Sequence, residues 1–387
     1  MRRDLARIFA AALVVRVVFT FLIYPSIAAQ FGSGDGYDEI GLNLAQGRGY
    51  LLAGAPGAAE RLPLYPLLLA LSFALFGPLS WPWQLAQCVG GAVTCGVVYA
   101  TARVYAGRRG ALVAAVFCAV HPTLVLYSAR PFTETLYVLL MLLFVRAVVR
   151  PRWSAMVVGG LLGLQLLTKT AAWLGLVACF PAARRAGLGG VARAALWVGV
   201  VVGPWVVWNL ATAGTPHLVT TVTGPTLYHG LYISRHASWT TPAADLNRDA
   251  ELALWQELAA RGVARDADAP LRDQRARDLV RGWISDHPAG AACLWARNLV
   301  LTWYLGRSRL SMLIHFVLHA ALLSAAAVGA RRMWSRSSDA RALALTALLL
   351  IGAYTAFHAV VQPAVRYILP VVPIAAVLAA AASPRER

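Results

Sequence analysis

The sequence predicts an all-α polytopic membrane protein, and three observations carry that expectation. Of the 387 residues, 59% are hydrophobic and only 13% are charged, about half the charged share of an ordinary soluble domain. Apolar runs of membrane-crossing length recur along most of the chain. The formal charge of +18 sits largely in short arginine clusters between those runs, a distribution that encodes topology rather than a nucleic-acid groove. Nucleic acid is therefore not an expected partner.

The N-terminal stretch MRRDLARIFAAALVVRVVFTFLIYPSIAAQ reads as a retained first span, because Arg16 interrupts its apolar run and it is long for a cleaved signal. Spans are expected at 7–28, 83–105, 110–127, 131–150, 153–168, 170–183, 193–212, 310–330, 341–360 and 367–382, about ten transmembrane helices in all. Residues 63–77 and 291–305 are also apolar. Counting 63–77 as a crossing would put Arg108 and Arg109 outside, so both stretches are read as juxtamembrane helices on the outer surface.

With a cytoplasmic N-terminus, the clusters around Arg2 and Arg3, Arg103 to Arg109, Arg146 to Arg152, Arg184 to Arg193, Arg331 to Arg341 and the tail Arg385 and Arg387 face inward. The chain then divides into an N-terminal transmembrane module (1–212) carrying a first outer loop (29–82), an extracytoplasmic loop region with helices (213–309), and C-terminal transmembrane helices (310–387). Within 213–309, ADLNRDAELALWQELAARGV has helical spacing. The expected setting is a bacterial-type plasma membrane, spanned many times, with the chemistry on the extracytoplasmic side.

The acids locate that chemistry. Outside 213–309, Asp4, Asp339 and Glu386 fall on the cytoplasmic side, and Asp35, Asp38, Glu39, Glu60 and Glu134 fall outside. The stretch GSGDGYDEIGLNLAQGRGY reads as a short helix between glycines, and two accounts of its acids are open. Asp35 caps the helix with Asp38 at N3, or the pair serves chemistry. Glu134, at the outer end of a span, either pairs with Arg130 one turn earlier or lines a site with the loop acids.

Arg61, Lys169 and Arg366 stand at outer helix ends, where each either snorkels to headgroups or contributes to a phosphate site. His229, His236 and His358 are further polar candidates, and the partner of mid-span Arg16 is left open. The aromatics Tyr228, Tyr232 and Trp239 read either as sugar-stacking residues or as an interfacial belt. The five cysteines show no metal-ligand spacing, and no GxGxxG or P-loop argues for direct nucleotide use.

Taken in order, the motifs D-x-Y-x-x-I-x-x-N-L-x-x-G-x-G-Y, R-x-P-x-Y-P, H-P…T-E-T-L, L-T-K, P-W-x-x-W-N and H…R-Y-x-x-P-x-x-P resemble the GT-C glycosyltransferases. The branch is that of protein O-mannosyltransferases and the aminoarabinose transferase of lipid A. The resemblance spans nearly the whole chain and implies a GT-C-like bundle that uses a polyprenyl-phosphate-linked sugar as donor on the extracytoplasmic face. It implies Asp35 as general base, with Asp38 its rival because Asp35 stands nearer Tyr37 than in many members. It implies Glu134 as a second acid, and Arg61, Tyr65, Lys169, His358, Arg366 and Tyr367 in donor phosphate or lipid binding.

No resident cofactor is expected, although a divalent metal bridging Asp35, Asp38 and Glu134 is an open alternative. The acceptor, whether protein, lipid or polysaccharide, is not specified by these motifs. Rival readings are an O-antigen ligase or polymerase, which would act mainly through arginine and histidine of its long loop, and a lipid or solute transporter. Transport fits less well, because transporters place polar groups at mid-bilayer in broken helices, and a noncatalytic scaffold leaves the clustered acids without a use.

Overall fold

The computed structural model describes residues 1–31, 35–52, 55–56, 61–150, 153–213, 223–264 and 269–383. Glu60, Arg152, Arg385, Glu386 and Arg387 lie outside the described residues. Those described are helical throughout except for turns and one short antiparallel pair, Leu51–Leu52 with Ala55–Pro56. The chain is a multi-pass all-α membrane protein. Among the described residues five helices are long and apolar enough to cross a membrane: Arg2–Phe31, Trp81–Tyr105, Ala186–Thr212, Arg309–Trp334 and Ser338–Val361.

The pair Arg108–Val120 and Pro122–Ala129, bent by 48°, is long and apolar enough only when taken together. The other four expected spans appear as shorter helices: Glu134–Val148, Ala155–Leu166, Thr170–Pro181 and Val365–Ala380. The two stretches expected to lie along the surface are the helices Leu64–Phe76 and Pro288–Leu301, of 13 and 14 residues. Each is well short of the roughly 20 residues that a crossing needs.

The chain forms two compact units, Met1–Leu218 with Leu322–Leu350 and Leu369–Arg387, and Val219–Ala321 with Ile351–Ile368. In the first, helix Trp81–Tyr105 is central and packs against Arg2–Val18, Arg108–Val120, Pro122–Ala129, Glu134–Val148 and Val372–Ala380. The sequence explains why. Cys88, Ala92, Cys95, Tyr99 and Ala102 recur every three or four residues on its fully buried face, a mostly small-residue stripe that lets neighbouring helices approach closely.

Arg16 faces that stripe from the first helix and is only 1% exposed. Its guanidinium donates to the carbonyls of Cys118 at 3.1 Å, Ala119 at 3.2 Å and its own Ala12 at 3.2 Å. Pro122 has no N–H, so it cannot satisfy the Cys118 carbonyl in the ordinary helical manner. The helix breaks at His121, whose Nδ1 accepts from the Leu124 N–H and starts the next helix. Arg16 therefore supplies the donors that Pro122 removes, and places a cation at a helix C-terminus where the dipole favours it. Gly91 makes room for this, since a Cβ there would stand 2.3 Å from Arg16 Nε.

The second unit has its own core. Ile233, Leu246, Leu301, Tyr304 and Met312 form one cluster, and Leu254, Leu258, Val263 and Ala276 form another. The segment read as helical within 213–309 is the helix Ala243–Ala260. Arg297 donates to the Ser234 and Ala237 carbonyls, closing the C-terminus of helix Thr223–His236 much as Arg16 closes Arg108–Val120.

Arg16→Met should leave the Cys118 and Ala119 carbonyls without these donors and lower stability by about 1–3 kcal/mol. Unfolding in mixed detergent micelles measures this. Gly91→Ala should act in the same direction by displacing the guanidinium.

Candidate active site

Helix Tyr37–Ala45 begins at Gly36, which adopts a left-handed conformation (φ 79°) and makes no side-chain cap. Asp35 is therefore not the N-cap and lies one residue before it, while Asp38 and Glu39 fall in the first turn, where the helix dipole favours acids. Gly36 is required twice over, by its φ and because a Cβ would meet Leu52 Cδ1 at 2.3 Å. Behind it, Gly41 lets this helix lie directly on Leu64–Phe76, where a Cβ would stand 2.7 Å from that of Leu69.

Arg61 ties the loop to the second helix. Its Nε donates to the Asp35 carbonyl at 2.7 Å, and its guanidinium lies 5.7 Å from the centre of the Tyr37 ring. Tyr37 in turn meets Tyr65 edge-on at 5.4 Å. The Tyr65 hydroxyl donates to Gln87 Oε1 at 3.0 Å, and Gln87 Nε2 donates to the carbonyls of Ser128 and Arg130. Burial pushes the Tyr65 phenol well above its ordinary pKa, and the charges of Glu134 and Asp38 add to the shift. Tyr65 thus stands within the fields of both the loop acid and the span-end acid.

Glu134 is 1% exposed, and its Oε1 accepts from Lys169 Nζ at 2.9 Å. Of the two alternatives, the turn-to-turn pair with Arg130 is not the one formed. The Arg130 guanidinium instead donates to the Phe31 carbonyl at 2.9 Å and sits 4.3 Å from the Phe132 ring centre. Lys169 follows the end of helix Ala155–Leu166, and the Leu167 carbonyl accepts from the Leu64 N–H at 3.0 Å. Lys169 is consequently a paired, largely buried cation (side chain 15% exposed) rather than a snorkelling one.

Tyr50, Trp205 and Trp208 flank the same place. The two indoles stack at 5.1 Å, Tyr50 packs on both, and its hydroxyl donates to the Arg61 carbonyl at 3.2 Å. Sequence reasoning quoted these aromatics within motifs but assigned them no part. Gln87 was missed altogether, although one polar residue on the buried face of an apolar helix is a readable signal.

Asp35, Asp38, Arg61, Tyr65, Glu134 and Lys169 all belong to the first unit. His358, Arg366 and Tyr367 belong to the second, where they form a cluster of their own. The His358 ring stacks on Tyr367 at 4.9 Å, the Arg366 guanidinium lies 4.9 Å from the Tyr367 ring centre, and the Tyr367 hydroxyl donates to Gln362 at 2.8 Å. His229 pairs with Glu251 at 2.9 Å and holds that carboxyl below its ordinary value. His236 stacks on Tyr232 at 4.0 Å. Among the described residues no three His, Cys, Asp or Glu side chains gather as a metal would need. Asp35, Asp38 and Glu134 form no such group.

Residues 59–212 match the family described as dolichyl-phosphate-mannose-protein mannosyltransferase. That segment is similar to a mannosyltransferase family of the GT-C type. The match bears out the resemblance read from the motifs, and it takes in Arg61, Tyr65, Glu134 and Lys169. Two solved structures are similar to this chain. One is ArnT from Cupriavidus metallidurans bound to undecaprenyl phosphate, 17% identical with a TM-score of 0.45, covering 95% of this chain and 77% of that one. The other is the apo state of the same protein, at 18%, 0.42, 92% and 77%. No curated protein matches the chain in sequence.

Removing one partner of a buried ion pair strands the other charge. Glu134→Gln and Lys169→Met should each lower stability by about 2–4 kcal/mol. The double variant should lose clearly less than the sum, which a double-mutant cycle on thermal or denaturant unfolding measures.

Proposed function

We propose that the protein moves a monosaccharide from a polyprenyl-phosphate donor to an acceptor on the extracytoplasmic face of a bacterial-type plasma membrane. The observation that carries this reading is the convergence of motifs far apart in sequence onto the Glu134 end of the first unit, within a segment that matches a mannosyltransferase family using a lipid-phosphate sugar. An enzyme on that face has no nucleotide-sugar supply, so its sugar must arrive activated on a lipid phosphate.

In this reading the acceptor's nucleophilic oxygen or nitrogen attacks the anomeric carbon as the bond from that carbon to the phosphate oxygen breaks. Asp35 or Asp38 takes the acceptor's proton as the new bond forms. The polyprenyl phosphate leaves with the electron pair, and Lys169 and Arg61 stabilise the charge that grows on it. One direct displacement inverts the anomeric configuration and needs a single base. Glu134 holds the Lys169 ammonium at a fixed point, and Tyr65 stands within the fields of both Glu134 and Asp38. Arg366, Tyr367 and His358 supply a second cationic and aromatic cluster for the donor's phosphate or lipid.

The test is a transfer assay on purified protein with candidate polyprenyl-phosphate sugars, products identified by mass spectrometry. The Asn variant of the base should lose at least about 100-fold in turnover, while the other aspartate's variant should lose much less. An Asp35→Asn/Asp38→Asn double variant that turns over like wild type would refute the mechanism.

A further inference from the structure

The far end of the first unit holds a groove that the transfer reaction does not use. It is lined by Arg146, Arg150, Arg336, Ser337 and Asp339, beside Thr101 and Tyr105, and encloses about 640 Å³. Arg146 is in the last turn of Glu134–Val148, so the twelve residues from Glu134 put the groove about 18 Å along the helix from the ion pair. It lies on the side where the sequence places its inward arginines.

Arginines at the ends of spans ordinarily serve topology, and for that they need only stand in a loop. Arg146 and Arg336 do more. Arg146 is drawn partly into the protein and donates to Thr101 Oγ1 at 3.3 Å. Arg336 reaches from the turn before helix Ser338–Val361 and donates to the Tyr105 carbonyl at 2.5 Å. The end of helix Glu134–Val148, with Arg146 and Arg150, and the turn at Arg336 thus deliver three guanidinium groups to one concavity, two of them anchored by hydrogen bonds to its wall.

The charged lining is three arginines against one acid. Asp339 occupies the first turn of its helix, where a carboxylate is favoured by the dipole. The net lining charge matches a phosphate mono- or diester, and planar guanidinium forks are the side chains best suited to phosphate oxygens. The volume falls in the range of small-molecule sites and is generous for a phosphate ion alone.

We propose that this groove binds a phosphate-bearing anion at the membrane face opposite the transfer site, taking either the headgroup of an anionic phospholipid or free phosphate. Binding there anchors the ends of Trp81–Tyr105 and Glu134–Val148 to the turn at Arg336, and it is independent of sugar transfer.

The experiment uses the full-length protein in detergent and in nanodiscs. Phosphatidylglycerol and inorganic phosphate are titrated separately, with native mass spectrometry and the unfolding midpoint as readouts. Arg146→Gln/Arg336→Gln should weaken one of the two probes at least about tenfold, and Arg150→Gln should weaken the same probe severalfold. The probe affected identifies the source of the phosphate. Arg331→Gln, an exposed arginine outside the groove, should bind as wild type does. Should the double variant fail to fold, Arg150→Gln decides alone. Unchanged binding of both probes in the groove variants, or an equal loss in Arg331→Gln, overturns the proposal. Neither outcome bears on the transfer reaction, because no readout depends on activity.

Discussion

The buried pair between Glu134 and Lys169 is the constraint around which the candidate site is arranged. A carboxylate this deep costs several kcal/mol unless it is compensated, and the compensation is the chain's single lysine. Satisfying Glu134 fixes where helix Ala155–Leu166 must end. The same short segment, through the Leu167 carbonyl, holds the start of Leu64–Phe76. That helix presents Tyr65 and carries Tyr37–Ala45 on its face. The loop acids are thus positioned through a chain of contacts that begins at one ion pair.

The lysine is informative in a chain whose other basic residues are all arginine. An ammonium is a compact point charge, whereas a guanidinium is a planar fork that demands more room and more acceptors. A buried site opposite one carboxylate oxygen suits the former. Arginine is used where several carbonyls must be satisfied together: Arg16 at the Pro122 break, and Arg297 at the end of Thr223–His236. Each repairs a helix C-terminus with a cation, so these two arginines are structural rather than topological.

Much of this was legible in the sequence. Hydropathy gave the fold class, and the order of weak motifs gave the glycosyltransferase resemblance and six residues that the first unit holds. Two alternatives that the sequence left open are narrowed by the structure for physical reasons. The turn needs positive φ at Gly36, so the cap falls there and not at Asp35. Arg130 turns toward the Phe31 carbonyl and the Phe132 ring, leaving Glu134 to a cation 35 residues away. The partners of Arg16 and the place of Gln87 depend on helix packing, which no local pattern encodes.

Affinity for a polyprenyl monophosphate tests the central claim most directly, because it isolates donor-phosphate recognition from sugar and acceptor. In folded protein, Lys169→Met should weaken the dissociation constant by at least about tenfold, and the loss should shrink as salt rises. An unchanged affinity in Lys169→Met, with its fold intact, would contradict the account.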